Sequence, residues 1–134
     1  MTIATKALEM VHERDPRLDI EEKIKPYLDR IELVGPEVLV AVYDRPEKTK
    51  GGVIITQAKR DEERFQGVAA LVLKIGPLAF VADARRTFPV QPKVGEWIMH
   101  RASEGLSVHV GPVQCRLVED VHIRMIVDRP DIIF

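Results

Sequence analysis

Lys48-Thr49-Lys50-Gly51-Gly52-Val53-Ile54-Ile55-Thr56 is followed at once by the polar run Gln57-Ala58-Lys59-Arg60-Asp61-Glu62-Glu63-Arg64. A glycine pair opens three bulky aliphatics, and the charged tract behind them has no apolar period. The apolar triplet therefore sits inside a long connection. Two glycines ease an unusual backbone but raise the entropy of the free chain, so they favour a segment that orders only against something else. Two readings stay open on these residues alone. One is an ordinary hairpin with Val53 to Thr56 as its second strand, since β-branched residues after Gly-Gly are a strand signal. The other is a loop carrying a hydrophobic plug that orders in a partner's groove.

The connection is bounded by two strand-like runs. Glu37-Val38-Leu39-Val40-Ala41-Val42-Tyr43 precedes it and is closed by Asp44-Arg45-Pro46; Gly67-Val68-Ala69-Ala70-Leu71-Val72-Leu73-Lys74-Ile75 follows it and is closed by Gly76-Pro77. Both contain too few polar residues for a hairpin with one wet face, so they belong to a buried sheet or barrel wall.

Before Pro36 the texture is helical. Ile3, Ala7, Met10 and Val11 recur at helical spacing, and Ile20, Ile24, Leu28 and Ile31 do so again after Asp15-Pro16, with Asp19 and Glu22 placed as a capping box. Two short amphipathic helices are expected, the second kinked or interrupted at Pro26, which lacks an amide donor. A stripe this narrow packs on its own domain or on a neighbouring subunit, and the mixed charges beside it form a solvated face. Residues 1–34 thus read as a helical N-terminal extension and residues 35–134 as a β domain.

Beyond the second run, Leu78 to Val90 is an irregular excursion with Phe80, Val81 and Phe88 around Asp83, Arg85 and Arg86, expected to be a surface hairpin. Pro92 to Gly95 turns into a strand through Trp97 to His100, Glu104-Gly105 turns into Leu106 to Val110, and Gly111-Pro112 breaks the chain before Val113 to Val118. Val121 to Val127 reads as a closing strand, then Asp128-Arg129-Pro130 and the tail Asp131-Ile132-Ile133-Phe134. Short strands separated by Gly and Pro at these intervals predict a mainly β fold, a small antiparallel β-barrel. The apolar tail has no partner within it and calls for a neighbouring subunit.

Composition excludes several function classes. The 134 residues are 46% hydrophobic and 31% charged with a formal net charge of -1, which suits a globular protein with no general attraction to nucleic acid or acidic membranes. No basic patch with interleaved aromatics occurs, no apolar run reaches membrane-spanning length, and no secretory signal is read at the N-terminus. A single cysteine, Cys115, rules out an internal disulfide framework and suits a reducing, cytoplasmic setting.

Catalytic signals are lacking. His12, His100, His109 and His122 fall on different elements without a second ligand at metal spacing. There is neither a GxGxxG nor a P-loop, and Gly51-Gly52 before bulky aliphatics cannot cradle phosphate. Cys115 lies in an expected strand without a charged helper and reads as an inert thiol. No enzyme activity, metal or cofactor is expected.

The order of these parts resembles the GroES-type co-chaperonins. The resemblance rests on the strand Val38 to Tyr43, the Gly51-Gly52-Val53-Ile54-Ile55 loop, the strand Gly67 to Ile75 with Gly76, and Lys93-Val94-Gly95-Glu96 before an apolar strand. It covers about residues 37 to 133, including the apolar strand, acidic turn and isoleucine-rich tail at the end. It implies a heptameric dome of β-barrels capping an ATP-driven, double-ring GroEL-type chaperonin and closing a chamber for folding protein. It also turns the central segment from hairpin to plug. Residues 48–64 would be the mobile loop, and 78–90 would stand in the place of the roof hairpin. Gly51, Gly52, Val53, Ile54, Ile55 and Thr56 would bind the chaperonin's apical domains, with Val53, Ile54 and Ile55 as the docking edge. The N-terminal extension, the turn Arg101-Ala102-Ser103-Glu104 in place of a Tyr-Gly pattern, and Arg85-Arg86 in the roof segment depart from the family. They point to a divergent, specialised or virus-encoded member.

A plug of this kind works as a tether. Each triplet buries about 3–5 kcal/mol of apolar contact, much of it offset by ordering the loop. Several loops on one ring bind together because each later contact is intramolecular. The competing expectation is a structural protein, for example a viral shell or decoration component, that reuses the barrel with Val53 to Ile55 as a buried strand. An oxidoreductase carrying a GroES-like domain would need a nucleotide-binding domain and zinc ligands that are not found.

Overall fold

The computed structural model describes residues 14–44 and 67–132. The helix α1 (Pro16–Leu28) comes first, followed by the strands β1 (Glu37–Val42), β2 (Gly67–Ile75), β3 (Trp97–Arg101), β4 (Leu106–Val110), β5 (Val113–Glu119) and β6 (Met125–Val127). Short 3-10 turns occupy Asp120–His122 and Pro130–Ile132. The strands form one antiparallel sheet in the order β4-β5-β1-β2-β3-β6. The fold is mainly β, as the punctuation by Gly and Pro predicts.

The sheet is rolled rather than flat. β3 and β4 stand four places apart, which on a flat sheet would be about 19 Å. Yet only residues 102–105 connect them, and Glu104 N–H donates to the Arg101 carbonyl at 3.0 Å to tighten that link into a turn. A connection this short closes only if the two strands have been curled toward one another.

β1 and β2 lie at the centre and explain their continuous apolar runs, because both of their faces are covered. Leu39, Ala41, Tyr43, Ala69, Leu71 and Leu73 point to one side, where Trp97, Val113, Cys115 and Ile24 of α1 complete a core. Val38, Val40, Ala70 and Val72 point to the other, joined by Ile98, Val118 and Phe80. The alternation slips once. Between Leu39 and Val40 the β2 register jumps from Lys74 to Val72, a bulge that turns Lys74 so that its Nζ donates to the Ile31 carbonyl.

α1 starts four residues earlier than the expected capping box. Asp15, not Asp19, is the cap: its Oδ1 accepts from Arg17 N–H at 2.9 Å with Pro16 at the first helical position. Asp19 instead pairs with Lys23 at 3.0 Å, one turn on, and Arg17 with Glu21 at 2.8 Å. The helix runs through Pro26 and ends at Leu28. Ile24 is fully buried, and Ile20, Leu28, Ile31 and Leu33 pack around the same core, so the stripe packs on its own domain. The helix expected around Ile3 to Val11 lies outside the described residues.

Two further expectations are corrected. Leu78 to Val90 is not a hairpin; it carries no strand and closes on itself around Asp83, whose N–H donates to the Arg86 carbonyl at 2.9 Å and whose Oδ1 accepts from the Arg85 N–H at 2.7 Å and the Arg86 N–H at 2.9 Å. Its aromatic residues are spent on packing instead: Phe80 and Phe88 meet edge to face at 5.5 Å over the second core. The closing strand spans only Met125–Val127, because the chain is turned at Asp120–His122, where the buried Asp120 carboxylate accepts from Val121 N–H at 2.8 Å. In the tail, Pro130 and Asp131 are buried and Ile132 is half exposed.

Candidate functional site

Gly51, Gly52, Val53, Ile54, Ile55 and Thr56 lie outside the described residues, as do the rest of 45–66. The structure defines the frame from which this segment departs and to which it returns. Tyr43 leaves β1 with its N–H donating to the Ala69 carbonyl at 2.9 Å, and its ring meets Trp97 edge to face at 5.6 Å. The chain re-enters at Gly67, opposite Arg101, and Val68, opposite His100. Both roots therefore stand at one end of two adjacent antiparallel central strands, each held by a fully formed core. A segment tethered in this way keeps fixed ends whatever its middle does.

The same end of the barrel carries a polar cluster that sequence reasoning missed. His100 follows Ile98 on the inward face of β3 and is fully buried. Its Nδ1 lies 2.7 Å from the Arg101 carbonyl, which can only accept, so Nδ1 carries the proton and Nε2 is a bare acceptor. Among the described residues Nε2 has no hydrogen-bond partner. Burial pushes the His100 pKa down, the Arg116 charge adds to that, and the Arg101 carbonyl and Glu104 oppose it. Arg116 Nη1 donates to the carbonyls of Ala102 and, at 2.9 Å, Glu104. Burial disfavours ionisation of Glu104, but hydrogen bonds from Arg124 and the Arg101 N–H, with the nearby His122 and Arg124 charges, hold its carboxyl below the usual range. The clue in the sequence was positional: a histidine two residues after an inward isoleucine in a strand shares its face.

A second buried carboxylate fixes the excursion at 78–90. Asp120 Oδ2 accepts from Phe80 N–H at 2.9 Å, and Arg86 approaches Oδ1 at 3.7 Å. Phe80 has φ 61, the one left-handed non-glycine residue described. A bulky residue holds that conformation only where its surroundings over-determine it, here a buried acceptor for its amide and a pocket for its ring. The segment is thus pinned flat on the barrel and displays Val81, Arg85, Arg86 and Val90 to solvent.

Among the described residues no group of three or more His, Cys, Asp or Glu could hold a metal ion. Cys115 is buried, which pushes its thiol up to about 11 and leaves it protonated and unreactive at neutral pH. No helix among the described residues is long and apolar enough to cross a membrane.

No curated protein matches the sequence. The family comparison is positive: residues 23–127 match the Chaperonin 10 Kd subunit family. The match begins inside α1, takes in every strand, and spans the Gly51–Thr56 segment together with both of its roots. Since it covers well over half of the 134 residues, the chain belongs to the Chaperonin 10 Kd subunit family, the GroES-type co-chaperonins.

Proposed function

We propose that this co-chaperonin caps a double-ring, ATP-dependent chaperonin and assists protein folding in the cytoplasm, docking through Gly51, Gly52, Val53, Ile54, Ile55 and Thr56. The observation that carries the proposal is the family match across residues 23–127, which includes this segment and the strands on either side of it. The rigid roots at Tyr43 and Val68 support it, because a tether transmits binding to the barrel only if its attachments do not yield. Val53, Ile54 and Ile55 supply the apolar edge for the apical domain, and Gly51 and Gly52 allow the turn that presents it. One plug binds weakly. A closed ring of about seven subunits offers its plugs together, and avidity converts marginal contacts into a cap that still releases when the partner's nucleotide cycle alters the groove.

The test is size-exclusion chromatography with light scattering, with and without a GroEL-type chaperonin and ADP. Wild type is expected to run as a ring and to co-elute with the chaperonin only with nucleotide. Ile54→Asp is expected to keep the ring and lose co-elution. Survival of binding in Ile54→Asp removes the plug. A wild type that ignores the chaperonin assigns the barrel a structural job instead.

A further inference from the structure

The buried polar end of the barrel has an asymmetry that docking does not need. His100 is enclosed on every side, and its charge-accepting atom, Nε2, has no hydrogen-bond partner among the described residues. The groups around it are polar or charged: Arg116 from β5, Glu104 from the β3–β4 turn, the Arg101 carbonyl at the end of β3, and His122 from the 3-10 turn. β2 offers only the apolar Val68 across the ladder. Glu104 is already committed to Arg124, His122 and the Arg101 N–H, and Arg116 repels any new positive charge.

We propose that His100 is a proton-operated pin at the end of β3: neutral, it sits enclosed with its Nδ1–H on the neighbouring Arg101 carbonyl, and its protonation puts an unbalanced charge there that loosens this end of the barrel, making the subunit acid-labile. Charging the ring would place a second donor at Nε2 with no acceptor among the described residues, in a site where an unpaired charge is strongly disfavoured. The strand end that yields is the one paired with Val68, where the 45–66 connection rejoins the sheet.

The sign follows from linkage. In the unfolded chain a histidine titrates near about 6.5, whereas the folded protein holds His100 below that. Above that pH neither state carries the proton and nothing is lost. Below it the unfolded chain takes up a proton that the fold refuses, and the folding constant falls by up to about tenfold per pH unit until the folded-state value is reached. The Glu104 carboxyl is held below the usual range, so its contribution is lost only at lower pH.

Thermal unfolding at about pH 7.5 and about pH 5.5 tests the pin, since a tenfold loss moves the midpoint by roughly 3–5 °C for a domain of this length. Wild type is expected to show a lower midpoint at the acid pH, by up to that much. His100→Asn, which can still donate to the Arg101 carbonyl but cannot be charged, is expected to lose less than half as much. Equal losses in the two proteins overturn the proposal. Should His100→Asn fail to fold, the ring nitrogen chemical shifts of wild type decide alone. A neutral ring protonated on Nδ1 in the folded protein at about pH 5.5 supports the pin, and a charged ring in the folded protein at that pH overturns it.

Discussion

Gly76 is where single-atom sterics matter most. A Cβ there would lie 2.5 Å from the Glu37 carbonyl oxygen and closer still to that of Gly35, both of them backbone and neither free to retreat. Gly76→Ala is therefore expected to destabilise the fold by about 1–3 kcal/mol or more, read as a lower urea midpoint at unchanged slope. Cys115 predicts the opposite behaviour, indifference. With its thiol raised to about 11 and no exposure, it should resist a thiol-modifying reagent in the native protein and react only after denaturation. The inertness of Cys115 was legible from its strand position. The role of Asp120 was not, since its partner, the Phe80 amide, lies 40 residues away in sequence.

Among the elements, α1 lies as a strap across one face of the sheet. Arg17 at its start reaches Gly95 ahead of β3, and Tyr27 near its end lies against Gly111 in the β4–β5 turn. Between them Ile24 fills the core beside Leu71 and Cys115. Ile24→Ala should cost about 2–4 kcal/mol in chemical denaturation, since the cavity opens between helix and sheet and neither can collapse into it. The strand runs were readable because their apolar stretches are bounded by Gly and Pro, and β2 and β4 occupy the predicted residues. The helix start was misplaced because Asp19 and Glu22 mimic a cap, whereas Pro16 had already fixed the first turn one residue after Asp15. Likewise Val121 to Val127 has the composition of a full strand, but the buried Asp120 diverts its first half into a turn.

For the whole molecule, the buried charges set an acid profile with two stages. Stability should first decline below the ordinary histidine range, through His100, and decline again below the ordinary carboxylate range, through Glu104, whose lowered carboxyl is stabilising only while ionised. Urea midpoints measured across the acid range, in wild type and in Glu104→Gln, check the second stage: the variant should lack it. The segment proposed for docking was legible only as a motif, Gly-Gly before Val-Ile-Ile, and lies outside the described residues. The rolling of the sheet was not legible, since it rests on a short link between strands four places apart. The strap and the sheet order also bear on synthesis. β1 sits between β2 and β5, and α1 packs against a core that Val113 and Cys115 of β5 help to build. A ribosome delivers α1 and β1 long before β5, so the apolar stripe of Ile20, Ile24 and Leu28 emerges with nothing complete to cover it. The subunit must then close late and in one cooperative step, and the nascent chain of this folding assistant is itself exposed to misfolding until β5 arrives.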